Sequence, residues 1–423
     1  METLTARRLG RATLARQMLL AREEGDVVTA VERLGGMQAQ EPRHPFTGLW
    51  TRLEGFRRED LHRALHERAV VRATMMRATL HLVSAADYAR FRPVLAPSLA
   101  AALRGRGELT AGLDLGALLP VARAVLAEGP RDFTELRALL QRHFPEVDER
   151  ALGYAVRMSL PLAMVPTEDR WAFPPAAKFA LAEELLDVPC DALSDRLPGA
   201  APDMLPGALS DMLSGAAPDA PPDAPPDAPP DAAPGTETGR TEEPGEPGDP
   251  AGELVLRYLA AFGPATAADA QTWTGLKGLR AVLDGLRPRL AVFRDEKGRE
   301  LFDLPGAPRP DEDTPAPARF LPDFDSLVLA HADRTRLMAE EYRGRVTTKN
   351  LRVRAVFLWD GTVRGTWQAE VGRKAAVLRL TPFEPLPREA LSGLTAEGEE
   401  LLRFLEPDAA APRGVVIESG GAG

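Results

Sequence analysis

The sequence predicts an α+β, mostly helical protein, with three tandem winged-helix units followed by a small C-terminal β-barrel or antiparallel sheet. Three observations predict it. Short capped helices followed by an alternating two-stranded pattern occur three times along the chain. Gly129-Pro130 and Gly263-Pro264 end helices at equivalent points of the second and third units, as an internal repeat would. Beyond residue 307 strands dominate, with Asp360-Gly361 as a tight hairpin turn.

In the first unit, residues 1–105, Ala6–Leu20 reads as a helix, Asp26 caps Val27–Leu34, and Arg58-Glu59-Asp60 opens Leu61–His66. Val70–Thr74 and Thr79–Val83 alternate as a hairpin, and helix Ala85–Arg92 follows. In the second unit, 106–190, Pro120 stands in the first turn of a helix that runs to Ala127. Asp132 caps Phe133–Arg142 and Asp148 caps Glu149–Leu160, the helix placed to enter a major groove. Ala163–Pro166 and Arg170–Phe173 read as the hairpin, with Glu168-Asp169 in its turn. The third unit, 253–306, repeats the plan with helices Glu253–Ala261, Ala267–Thr272 (capped by Thr266) and Leu276–Leu286. Its strands are Leu290–Phe293 and Glu300–Leu304, around the polar turn Arg294–Arg299. In 307–423, Ala355–Trp359 and Thr362–Trp367 form a hairpin, Lys374–Phe383 another strand and Pro387–Leu405 a closing helix, with a frayed tail from Ala409.

Between the second and third units, 191–252, composition changes. Residues 198–250 hold 14 of the 39 prolines and three copies of Pro-Pro-Asp-Ala, and no aromatic residue occurs between Phe179 and Tyr258. Such a segment buries too little apolar surface to offset its ordering entropy, and the expectation is a disordered acidic insertion. Net charge is −10 overall, but residues 191–250 alone carry −11 and residues 43–106 carry +7. The charge is therefore segregated, which restores room for a nucleic-acid partner in an acidic chain. Only five basic residues are Lys. Arg suits bidentate phosphate contacts, although a GC-rich genome gives the same bias. The single cysteine, Cys190, excludes a disulfide framework and a multi-cysteine zinc site. Without a signal-type apolar run or a membrane span, the expectation is a cytoplasmic, nucleoid-associated monomer with no membrane partner.

The most informative tripeptide is Gln38-Ala39-Gln40, in Leu34-Gly35-Gly36-Met37-Gln38-Ala39-Gln40-Glu41-Pro42. Two glutamines separated by one residue put two neutral amides on one side of an extended segment. Each amide donates and accepts, so the pair can hold a water together with a sugar or base edge. Other residues have two readings each. His81, in an apolar strand beside Thr79, is a structural histidine or a DNA contact. Arg43, Arg72 and Arg77 are solvated surface or phosphate contacts. His331 with Arg334 and Arg336 is a helix-capping cluster or a backbone clamp. His62 and His66 have metal-ligand spacing on a helix, but no third ligand is suggested, so no metal is expected.

These pieces together resemble the bacterial winged-helix DNA glycosylases of the AlkZ and YcaQ type, the crosslink and alkyl-purine repair family that includes azinomycin self-resistance enzymes. The matching segments are Leu34–Gln40, Gly48-Leu49-Trp50, Arg77–Leu82, Phe320-Leu321-Pro322-Asp323-Phe324-Asp325, Ala330–Arg336 and Gly365-Thr366-Trp367. They occur in the family order and span nearly the whole chain outside 198–250. The family pattern is Gln, one aliphatic residue, then Gln or Asp. Gln at both positions is similar to the self-resistance branch, while the small Ala39 and the acidic insertion depart from the pattern. The resemblance implies a C-shaped arrangement of the winged helices and a monofunctional glycosylase, without cofactor, that releases N7-alkylated guanine from double-stranded DNA and can unhook crosslinks. A non-catalytic winged-helix regulator is the alternative. It would commonly be a dimer and would have no use for Gln38 and Gln40.

The implied chemistry makes sense of two weak groups. Alkylation at N7 already places positive charge on the purine, so the leaving base needs no general acid. An oxocarbenium-like sugar accepts neutral water, so positioning provides most of what remains. Unmodified guanine would survive at such a site. Glu41 is the nearest acid, but adjacency places it on the opposite face of an extended segment.

Overall fold

The computed structural model describes residues 1–186, 249–348, 350, 352–371, 376–407 and 413–418. Its strands, in chain order, are β1 (Thr3–Leu4), β2 (Met37–Gln38), β3 (Val70–Thr74), β4 (Leu80–Ser84), β5 (Leu162–Met164), β6 (Phe179–Leu181), β7 (Ala291–Asp295), β8 (Glu300–Asp303), β9 (Arg319–Leu321), β10 (Val356–Trp359), β11 (Thr362–Val371), β12 (Ala376–Pro382) and β13 (Arg413–Ile417). They form three sheets, ordered β2-β4-β3-β5-β6, β1-β7-β8 and β13-β12-β11-β10-β9.

The first sheet is antiparallel and draws strands from both of the first two segments, joined where Ala73 faces Ala163. One of its faces packs with Met37, Leu80, Leu82 and the helices of residues 115–159. The other, through Val71, Ala73 and Val83, packs with Tyr258, Phe262 and Trp273 of the helices after residue 249. Those helices, Pro250–Phe262, Ala267–Thr274 and Leu279–Leu286, have local causes. Asp249 accepts from Ala251 and Gly252 N–H, and Thr266 with Asp269 forms a capping box. The helix then ends at Gly275, whose φ is 77°.

Several elements differ from the sequence expectation, each for a physical reason. The second-unit helix is Leu115–Ala127, not Pro120–Ala127. Asp114 caps it, and Pro120 lies inside it on an exposed face. The partner of β5 is β6, not Arg170–Phe173. Ala172 is left-handed at φ 64°, and its carbonyl accepts from Thr167 N–H, closing a loop there instead. The first helix stops at Arg16, and the third-unit helix starts at Leu279, after left-handed Gly278. Helices His44–Trp50 and Ala96–Arg104 were not anticipated. The tail does not fray throughout, because β13 adds to β12 in parallel. With β9 and β13 as free edges, the C-terminal sheet is open and not a barrel. Its central hairpin is as expected, with Asp360 and Gly361 at φ 49° and 72°. The acidic insertion 191–252 and Cys190 fall outside the described residues, except 249–252, where Asp249 caps a helix that begins at Pro250.

Candidate active site

Gly35 and Gly36 turn the chain into β2 with φ of 69° and 83°. A Cβ on Gly36 would lie 2.8 Å from Val83 Cγ1, so the approach to β4 requires glycine. β2 sets Gln38 opposite His81 on β4, and Ala39 N–H donates to Leu80 O at 2.7 Å. Directly opposed residues in an antiparallel pair project to one face, Cβ atoms about 5 Å apart. Gln38 and His81 therefore share a face.

The two amides are oriented by donors. Gln38 is buried, and its Oε1 accepts from Arg77 Nη2 at 2.8 Å, while Arg77 Nη1 donates to Trp273 O at 2.7 Å. A guanidinium has donors only, so the Gln38 oxygen faces Arg77 and the NH2 points away. That Nε2 is buried and without a partner among the described residues. Gln40 Oε1 accepts the backbone N–H of Leu80 at 2.8 Å, so its NH2 is also turned outward from the strand. Both glutamines thus present donors to the site.

Arg72 holds the same segment from the other side. Its Nε donates to Ala39 O and its Nη2 to Gln40 O, each at 2.8 Å, and its guanidinium lies 5.1 Å from the centre of the Phe173 ring. Burial lowers the pKa of Arg72 to about 10 and that of Arg77 to about 10, the charge of Arg334 adding to the effect on Arg77. The guanidinium groups of both residues are thus turned inward, toward carbonyls and Gln38. Thr79 is fully buried, and its Oγ1 donates to Met76 O. His81 Nδ1 donates to Thr79 O at 3.1 Å. Burial, then the nearby Arg77, lower the His81 pKa to about 3, so the ring is neutral and Nε2 keeps its lone pair. That atom, too, is buried and unpartnered among the described residues.

His331, Arg334 and Arg336 bind other parts of the chain. His331 Nε2 donates to Phe262 O at 3.1 Å and Arg336 Nη1 to Pro264 O at 2.8 Å, both side chains buried. Arg334, half-buried, reaches Thr347 Oγ1. This cluster fastens residues 331–336 to the turn after helix Pro250–Phe262. Of the arginines expected at DNA, Arg43 alone is exposed. His62 and His66 stack at 6.3 Å, and the described residues hold no cluster of three metal-ligating side chains.

The loop 322–326 overlaps the family-like segment Phe320–Asp325. It closes the edge of β2, with Gln38 N–H donating to Ser326 Oγ at 3.4 Å. Arg52 fixes it through two bonds to Asp325, at 2.9 and 3.0 Å, both side chains buried. Asp323 Oδ2 lies 3.6 Å from His44 Nε2. His44 is buried and its pKa falls to about 3, so it is neutral, while burial raises the Asp323 carboxyl against the opposing pull of Arg352 and Arg43.

A family model described as DNA glycosylase AlkZ-like matches residues 31–404. No curated protein matches the sequence. The solved structure of Streptomyces sahachiroi DNA glycosylase AlkZ is similar at a TM-score of 0.69 and 18% identity, covering 98% of this chain and 100% of that one. At that identity the likeness is one of fold.

Proposed function

The chain belongs to the AlkZ-like DNA glycosylase family, and from that premise we propose that it hydrolyses the N-glycosidic bond of N7-alkylated guanine in duplex DNA, with Gln38 and Gln40 as the catalytic amides. The observation that carries the reading is the orientation of those amides. Arg77 and the Leu80 N–H occupy both oxygens, so two NH2 groups are left to donate.

A water held at the site accepts a hydrogen bond from Gln38 Nε2 and donates one to the lone pair on His81 Nε2, its neighbour across the strands. The C1′–N9 bond breaks, and its electron pair neutralises the alkylpurine cation, which leaves as the neutral base. The water oxygen attacks C1′, and the proton it sheds transfers along that hydrogen bond to His81 Nε2. A neutral imidazole with a pKa of about 3 is a weak base, which suits attack on an oxocarbenium-like centre and leaves intact guanine alone. Unhooking of a crosslink is the same reaction on a guanine whose N7 substituent reaches the other strand. Winged-helix units carry the duplex in this reading, and the enzyme acts as a monomer.

Release of free 7-methylguanine from a methylated duplex tests the proposal. The expected product is the intact base with an abasic site and no strand cleavage. Absence of base release by folded protein would remove the activity.

A further inference from the structure

A cavity of about 530 Å³ opens beside the glutamine segment, on the face of β11 and β12. Arg43, three residues after Gln40, lines one side, and Asp323 lies next to the loop residues that close β2. The cavity's other charged lining residues are Arg352, Arg354, Glu370 and Arg379. The two acids differ. Glu370 is committed to Arg379 through two bonds, at 2.9 and 3.1 Å. Asp323 has no close bidentate partner: Arg352 Nη2 is 3.7 Å away, Arg43 acts on it from a distance, neutral His44 lies at 3.6 Å, and the backbone N–H groups of Asp323 and Ala355 donate to its carboxylate. Its carboxylate is mostly buried, so it lacks the water that would otherwise solvate it. Arg43 and Arg354 are exposed and make no ion pair among the described residues.

A site lined by two arginines without ion pairs and by one carboxylate without a bidentate partner matches a ligand with charges of both signs. An N7-alkylated nucleotide is such a ligand, a purine cation flanked by anionic phosphates. We propose that this cavity is the subsite for the alkylated nucleotide, with Arg43 and Arg354 holding its phosphates and the Asp323 carboxylate facing its cationic purine. The inference rests on the reading that the chain excises N7-alkylated purines, and adds a residue that selects them. Guanine without the alkyl group offers Asp323 no added countercharge in the complex.

The test compares binding of two duplexes. One carries a single N7-methyl-2′-deoxyguanosine with a 2′-fluorinated sugar, which resists glycosidic cleavage, and the other carries guanine there. Wild type should prefer the lesion duplex by about tenfold or more, a difference of one opposite-charge contact. Asp323→Asn should bring the two affinities to within about twofold of each other, while binding of the guanine duplex stays level or tightens. Arg43→Ala and Arg354→Ala should weaken both duplexes alike, and each should reduce the slope of log affinity against log salt by about 0.9. Unchanged preference in Asp323→Asn, or equal weakening of both duplexes, overturns the role of Asp323. Unchanged salt slopes in Arg43→Ala and Arg354→Ala overturn the phosphate half and stand even if Asp323→Asn fails to fold. Failure of the excision reading looks different, because wild type would then release no base from the unfluorinated lesion.

Discussion

Arg77 shows how much one side chain settles in this site. It joins Gln38 to the backbone of Trp273, almost two hundred residues away, and in doing so decides which end of the Gln38 amide faces the site. Arg77→Met keeps the length and apolar stem but removes both bonds. The expected result is a fall in base release of about tenfold or more, in kcat and kcat/KM alike, because orientation in the transition state is lost. A variant that folds and turns over at the wild-type rate would remove Arg77 from the positioning of Gln38. His81 is tested by two replacements. Asn keeps a donor toward Thr79 O but no acceptor at the Nε2 position, while Gln supplies one. Base release should fall with His81→Asn and recover in part with His81→Gln. A uniform loss in both would mark the ring as structural. The glutamines were legible because their spacing is local. Arg72, Arg77, Thr79 and His81 read in the sequence as contacts to DNA, whereas their side chains are turned toward the protein's own carbonyls and Gln38. Their burial depends on partners far away in sequence, and an arginine in a short strand looks the same whether it faces solvent or a carbonyl.

The buried histidines also predict a pH response. His44 and His81 have folded pKa values of about 3 against an ordinary 6.5, and each is neutral in the fold. The unfolded chain takes up protons near pH 6.5 and the folded chain does not, so stability is complete above that pH and is lost as pH falls toward 3. At pH 5.5 each histidine costs about 1.4 kcal/mol by linkage. Urea unfolding at pH 7.5 and 5.5 should show the drop, and His44→Phe should carry a visibly smaller one. Identical pH dependence in His44→Phe and wild type would contradict the assignment.

At the scale of elements, helix Ala6–Arg16 is a brace. Arg16 makes two bonds to Asp303 on β8, at 2.7 and 2.9 Å, with both side chains buried, and Arg11 reaches Asp360 in the β10–β11 turn. Asp303 keeps Arg309 when Arg16 is removed, so Arg16→Ala should cost about 1–3 kcal/mol in urea unfolding, short of the full penalty of a stranded buried charge. A loss below about 1 kcal/mol would place the pair among weak surface bridges. Caps and turns were the legible part of the elements. Asp26, Asp132, Asp148, Thr266 and Asp360-Gly361 act where the sequence places them. The errors lie where tertiary context overrides local signal. Pro120 was read as a helix start, yet Asp114 is the stronger cap and the proline's exposed face tolerates it. Arg170–Phe173 alternates like a strand but forms a loop over which β6 takes the place beside β5.

Across the whole molecule, pairing does not follow chain order. β1 joins β7, and one sheet draws on both of the first two segments, so contiguous units read from periodicity understate how the chain interleaves. The charge pattern is legible at this scale without any structure. The acidic insertion should be dispensable for chemistry. Deleting residues 191–246 spares Asp249, the cap of the following helix. Base release per bound substrate should then remain nearly unchanged, with DNA affinity level or higher at low salt, because most of a segment of net −11 that repels DNA has been removed. Loss of excision would make the segment part of the enzyme. The measurement that bears most directly on the central claim is the single-turnover rate of 7-methylguanine release from duplex DNA by wild type, Gln38→Ala and Gln40→Ala, each checked for its unfolding midpoint. The account predicts release of free base by wild type and a fall of at least about tenfold in each variant at unchanged stability. Wild-type rates in the folded Gln40→Ala and Gln38→Ala proteins would contradict it.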